Sequence, residues 1–157
     1  MRRFVSGRFE RDGIAPARVV LDGPAEHDEF LRAYGRIDLA LDPFPYGGGT
    51  TTSEALWQGV PVLSFRGDRW AARTSASLMI AAGLGQFVAS DREGYIAMAV
   101  ELARDPETPG RLADLRRSMR ERLKASAACD TARLARHLER LRCLPGSHLR
   151  RSEHRTS

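Results

Sequence analysis

The residues best placed to do chemistry are Gly47-Gly48-Gly49-Thr50-Thr51-Thr52, set between an apolar run that ends at Asp42 and a helix-forming run, Ser53-Glu54-Ala55-Leu56-Trp57. A strand that empties through a glycine-rich turn into a helix N-terminus suits a phosphate. The first-turn amides lack carbonyl partners, and the helix dipole favours negative charge there. Glycines let the backbone approach a ligand without Cβ interference, and the three threonines add hydroxyl donors. The expected ligand is a diphosphate. The same residues allow a second reading, because Thr51-Thr52-Ser53-Glu54 fits a capping box with Thr51 as the cap and Glu54 reaching back to its amide. No lysine follows the glycines, so this is not a P-loop. The two readings can coexist, since a capped helix start is also a pre-organised anion site.

The elements that must hold this turn alternate in type. Phe4 to Arg11 has weak helical character and stops at Gly13, as the tail of a longer helix would. Arg18-Val19-Val20-Leu21-Asp22 reads as a short buried strand closed by Gly23-Pro24. Ala25 to Tyr34 reads as a helix with Phe30, Leu31 and Tyr34 on one face. Strands follow at Ile37 to Leu41, Pro61 to Phe65 and Gln86 to Ala89. Helices are expected over Thr52 to Gln58, Trp70 to Ala82 and Gly94 to Arg104, the last capped by Ser90 or Asp91, then over Thr108 to Ala125 and Thr131 to Leu141. Strands alternating with helices at these lengths indicate an α/β fold with a parallel sheet. Ligands in such sheets bind beyond the carboxyl ends of the strands. Asp22-Gly23, the Asp42 to Thr52 segment and Arg66-Gly67-Asp68 are expected to converge there.

The 157 residues suffice for one domain with a real core. Cys129 and Cys143 read as reduced thiols and not as a disulfide framework. No apolar run approaches the ~20 residues that span a bilayer, and no apolar h-region follows Met1-Arg2-Arg3-Phe4, so a cytoplasmic location without membrane contact is expected. The net charge of +5 is unevenly placed. Residues 1–110 carry 12 basic and 15 acidic side chains, whereas residues 111–157 carry 13 and 5. The positive excess therefore sits on the C-terminal helices and tail, away from the glycine turn. Without aromatic interleaving it argues against nucleic acid, and such faces are solvated or dock on an acidic partner. His27, His137, His148 and His154 are scattered, and no carboxylate pair has ligand spacing, so no metal is expected.

The segment Asp38-Leu39-Ala40-Leu41-Asp42-Pro43-Phe44-Pro45-Tyr46, the Gly/Thr turn, and Glu54-Ala55-Leu56-Trp57-Gln58-Gly59-Val60-Pro61-Val62 closely resemble the bacterial SPINDLY-type O-linked N-acetylglucosamine transferases, glycosyltransferase family forty-one. Flanking agreement at Gly13-Ile14, Arg18-Val19, Gly67-Asp68-Arg69, Arg73 and Ser75-Ala76-Ser77-Leu78 extends the likeness from about Arg8 to Leu141. The resemblance implies a GT-B enzyme of two Rossmann-like domains, with the nucleotide sugar held mainly by the C-terminal one. Residues 1–143 are then the donor-binding portion, a partial Rossmann-like sheet with flanking and C-terminal helices, and residues 144–157 a disordered basic tail. By the resemblance the donor is UDP-N-acetylglucosamine. Thr50 and Thr51 match residues that contact its diphosphate, within a loop that includes Gly48, Gly49 and Thr52. Glu54 takes the position that accepts from the ribose hydroxyls.

Phe30 stands where many relatives stack a histidine on the base, with His27 one helical turn earlier. Arg73 matches a family arginine, and Trp70 replaces a residue that is often histidine in bacterial relatives. The resemblance further implies inverting transfer to a protein Ser or Thr hydroxyl without a required metal. The family's tetratricopeptide repeats, N-terminal catalytic domain and donor-contacting lysine are not visible in this sequence. No catalytic residue is assigned, and the expectation is a truncated enzyme, inactive alone. The alternative is a non-catalytic interaction module whose basic helices from Arg111 to Arg142 dock on an acidic partner or on the other half of the enzyme.

Overall fold

The computed structural model describes residues 2–142. The expected disordered tail, residues 144–157, lies outside the described residues, as does Cys143. Helix α1 (Arg2–Arg11) is followed by a glycine in the left-handed region, Gly13 at φ 78°. Helix α2 spans His27–Ala33 and continues as a 3-10 turn over Tyr34–Arg36. Strand β1 (Ala40–Leu41) leads through the glycine turn into α3 (Thr50–Trp57), and β2 (Val62–Phe65) leads through a 3-10 turn at Trp70–Ala72 into α4 (Thr74–Ala81). Strand β3 (Val88–Ala89) precedes α5 (Arg92–Arg104), α6 (Thr108–Ala125) and α7 (Thr131–Arg142).

The three strands form a parallel sheet in the order β1-β2-β3, with Ala40 opposite Val62 and Ser64 opposite Val88. Strand β2 is central and buried along its whole length, as its apolar run demands once helices cover both faces. Helices α3, α4 and α5 pack against it, and α6 packs on α3. The core is densest at Leu56, Leu63, Met79, Leu84 and Met119, each at most 1% exposed. Truncating one of these to alanine removes about 2–5 kcal/mol. Helix α6 enters this core along a single stripe, Leu112, Leu115, Met119 and Leu123, at helical spacing. Gly59, at φ 83°, makes the turn from α3 to β2, and a Cβ there would sit 2.8 Å from Arg116 Cγ. That position needs glycine for both its conformation and its clearance.

Several expected boundaries shift, and one expected strand does not form. Pro16–Arg18 makes a 3-10 turn, and the chain from Val19 to Glu26 runs without ladder partners. Val20 is 78% exposed, and Asp22 is drawn instead to Arg36, 2.5 Å from its Nη2. Among the described residues this segment pairs with no strand, and β1 keeps an unpaired outer edge with Leu41 exposed. The strand expected from Ile37 shortens to Ala40–Leu41, and the one expected from Gln86 shortens to Val88–Ala89 behind a 3-10 turn. The helix expected from Trp70 divides into the 3-10 turn and α4. Asp91 caps α5, accepting from the Gly94 amide at 2.8 Å.

Candidate functional site: the glycine turn at the end of strand β1

Asp42 leaves β1 at its carboxyl end and is 9% exposed. Its Oδ1 accepts from the Gly48 amide at 2.8 Å and its Oδ2 from the Ser64 hydroxyl at 2.7 Å. Its main-chain carbonyl accepts from the Tyr95 hydroxyl of α5 at 3.2 Å. Burial, then the nearby Asp42 charge, raises the Tyr95 phenol above its ordinary pKa, so it stays a donor at neutral pH. The Gly47 amide donates to the Ala71 carbonyl at 3.0 Å. The turn is thus fastened from inside by β1, β2, α5 and the segment before α4. Gly48 is required by crowding: a Cβ there would lie 2.6 Å from Thr52 Oγ1 and 2.7 Å from Thr51 Oγ1.

Pinned in this way, the chain enters α3 at Thr50 with Gly49 as the N-cap, two residues earlier than the sequence suggests. The capping box does not form, because Thr51 already lies inside the helix and no side chain caps its start. Glu54 is released for another role. The amides of Thr50, Thr51 and Thr52 have no acceptor among the described residues. Gly48, Gly49, Thr50 and Thr51 are brought together at this helix start, and a cavity of about 150 Å³ beside it is lined by Tyr34, Asp42, Pro43, Thr51 and Thr52. Thr52 departs from expectation in its side chain, which is 2% exposed and pairs with Ser75 Oγ of α4 at 3.1 Å. Its hydroxyl therefore belongs to the α3–α4 packing, whereas its amide has no acceptor among the described residues.

Glu54 lies one turn along α3 with its side chain one-fifth exposed, and Oε1 is 3.9 Å from His27 Nε2. It opens on a groove of about 360 Å³ shared with Thr50, Ser53 and Trp57. Phe30 is 40% exposed and meets Tyr34 edge to face, with ring centroids 5.4 Å apart. Phe30 and Tyr34 line a further cavity of about 410 Å³ with Val20 and Ile37. Arg73 ties the neighbouring turn together, donating from Nε to the Gly67 carbonyl at 2.6 Å. Trp70 is 81% exposed. Of the three loops expected to converge, the Asp42 to Thr52 and Gly67 segments meet through Ala71 and Ala72. Asp22 instead joins Arg36, since its strand is absent. A cavity of about 630 Å³ lies between α5 and α6 and shares no residue with the glycine turn.

Sequence reasoning missed Tyr34, Ser64, Ser75 and Tyr95 as supports of the turn. Ser64 carried a signal, as a polar residue in an otherwise apolar buried strand. Tyr34 and Tyr95 gave none, because an aromatic on a helix face reads as core. Among the described residues no group of three His, Cys, Asp or Glu could hold a metal ion, and no helix is long and apolar enough to cross a membrane.

The same turn can be compared with known proteins. A probable UDP-N-acetylglucosamine--peptide N-acetylglucosaminyltransferase SPINDLY of Solanum lycopersicum is 37% identical over 139 residues, which is 88% of this chain and 14% of that protein. Its namesake from Eustoma exaltatum subsp. russellianum is 40% identical over 140 residues, 88% of this chain and 15% of that protein. Among solved structures, a Thermobaculum terrenum O-GlcNAc transferase mutant superimposes with a TM-score of 0.74 at 37% identity, covering 88% of this chain and 27% of that one. This chain thus spans about a seventh of the length of those curated relatives. The family profile reaches from residue 3 to residue 138 and takes in the glycine turn with every strand and helix that fastens it. On both sequence and fold, the chain belongs to Glycosyl transferase family 41.

Proposed function

We propose that residues 1–143 form the donor-binding portion of a protein O-linked glycosyltransferase and hold UDP-N-acetylglucosamine at the start of α3. One observation carries this reading: three first-turn amides without acceptors among the described residues sit beside the Thr50 and Thr51 hydroxyls, on a turn that Asp42 fastens. Amides and helix dipole together favour a diphosphate. Glu54 is placed to accept from the vicinal ribose hydroxyls, as a carboxylate can in bidentate fashion. Phe30 offers a half-exposed ring for the uracil. Arg73 fastens the Gly67 turn through its Nε and keeps its Nη donors for the nucleotide sugar.

In the transfer itself, a Ser or Thr hydroxyl oxygen of the acceptor bonds to the sugar's anomeric carbon. The bond from that carbon to the diphosphate oxygen breaks, and its electron pair leaves with UDP. The contribution of this chain is electrostatic, because negative charge grows on the departing oxygen next to the α3 amides. The hydroxyl proton passes to a general base, a role to which no residue of this chain is assigned. By the same reading, activity requires the remainder of the transferase sequence that the relatives carry and this chain does not span.

The test is a titration with UDP followed by amide resonances. Thr50, Thr51 and Thr52 should shift in a saturable way, with Glu54 and Phe30 responding to uridine alone. Unmoved amides at millimolar UDP refute the proposal. A second reading, docking through the basic helices, is favoured by α7, which buries none of its residues although Leu134, Leu138 and Leu141 share a face with Arg133, Arg136 and Arg140 around it. Binding of an acidic partner there should weaken steeply with salt.

A further inference from the structure

We infer that Tyr34 is a positioning residue that sets the distance between the base end and the diphosphate end of the donor site. This inference rests on the donor-binding reading above. Tyr34 is 9% exposed, and its hydroxyl donates to the Thr51 carbonyl, in the first turn of α3, at 3.1 Å. Its ring meets the Phe30 ring edge to face at 5.4 Å. The one side chain therefore touches the expected base-stacking ring and the expected diphosphate turn, and it lines the cavity on each side.

Its backbone is held as firmly as its side chain. From α6, Arg116 Nη1 donates to the Tyr34 carbonyl at 3.2 Å, and Nη2 donates to the Ile37 carbonyl. Arg116 also packs against Gly59 at the far end of α3. The 3-10 turn that carries Tyr34 is thus clamped to the same helix whose stripe supports α3. Thr51 gains from this in a specific way. A carbonyl in the first helical turn normally accepts only from the amide one turn on, and a second donor fixes its tilt and with it the direction of the adjoining peptide plane. The Thr52 amide belongs to that peptide. Burial, then the charge of Glu54, raises the Tyr34 phenol above its ordinary pKa, which keeps the donor in place through the physiological range.

A ligand that spans both ends benefits from this spacing, whereas its two halves taken separately do not. That difference separates positioning from mere structural support. The experiment compares wild type with Tyr34→Phe, which keeps the ring and removes the donor, using UDP, uridine and inorganic pyrophosphate as probes in calorimetry and NMR. UDP should bind about tenfold more weakly to Tyr34→Phe, with uridine and pyrophosphate changed less than about twofold and the melting temperature lowered by only about a few degrees. Unchanged UDP affinity, or an equal fall for all three probes, overturns the inference. If wild type binds UDP and only the Tyr34→Phe comparison fails, the donor-binding reading stands without it. If wild type binds no UDP, both fall. Should Tyr34→Phe not fold, the wild-type ring resonances decide: Tyr34 must respond to uridine and to pyrophosphate, and silence toward either probe overturns the inference.

Discussion

Replacing Asp42 offers the sharpest check on how the turn is built, because alanine and asparagine should behave very differently. Asp42 accepts two hydrogen bonds on separate oxygens, from the Gly48 amide and the Ser64 hydroxyl, in a nearly buried setting. Asp42→Ala leaves both donors without a partner, and Ser64 is wholly buried. Charge-assisted bonds contribute about 1.5–3 kcal/mol each, and a stranded buried donor costs about 1–3 kcal/mol. These ranges overlap in meaning, so a total loss of about 3–5 kcal/mol is expected. Asp42→Asn keeps the shape. Its Oδ1 can still accept from Gly48, and its Nδ2 can donate to Ser64 Oγ once that hydroxyl rotates to act as acceptor. Only the charge assistance goes, leaving a loss of about 1–2 kcal/mol. Urea denaturation gives both values, and amide exchange at Gly48 reports whether its bond survives in the asparagine variant. Equal losses for the two variants, or a loss below about 1 kcal/mol for alanine, would refute the claim that this carboxylate organises the turn.

Three other outcomes are expected. Gly48→Ala forces a methyl against the Thr51 and Thr52 hydroxyl oxygens, so these must turn aside from the helix start; UDP titration should show weaker binding with secondary structure by circular dichroism retained, and undiminished affinity would contradict the crowding seen there. Glu54→Gln should weaken UDP about tenfold while leaving pyrophosphate unaffected, as isothermal calorimetry can show; equal effects on both probes would place Glu54 outside the ribose end. Asp91 has its carboxyl held below the ordinary range by the Gly94 amide and then the Ser90 hydroxyl. Because its folded pKa is depressed, its support of α5 is complete above the unfolded value near about 4 and is lost as pH falls through the folded value. The difference in melting temperature between wild type and Asp91→Ala should therefore shrink below about pH 4, and a gap that stays constant down to about pH 2 would contradict the cap.

Much of this molecule can be read from residue order alone, where local chemistry and tertiary demand agree. The buried run Val62–Phe65, a cap on α5 at Ser90 or Asp91 and the extent of α6 are of that kind, since local pattern decides them. The helix start at Thr50 is not. A capping box at Thr51 is locally sound, yet Asp42 and Ala71 seize the preceding amides and bring the helix forward. The Val19 to Leu21 segment fails for the opposite reason. Its apolar, β-branched character suits a strand, but strandhood depends on neighbours that no local pattern specifies. Within the site, glycines, threonines and Glu54 announce themselves by type and spacing. Their supports, Tyr34, Ser75 and Tyr95, lie 17, 23 and 53 positions from the atoms they hold, beyond the reach of any periodicity.

The outer margin of β1, unpaired among the described residues, carries a practical consequence for anyone handling this chain. Exposed main-chain donors and acceptors beside Leu41, Ile37 and Val20 make a template on which another extended segment can grow. Concentrated samples should therefore drift toward self-association through that rim. A dilute preparation, or an added lysine at the Leu41 position facing water, is the natural remedy.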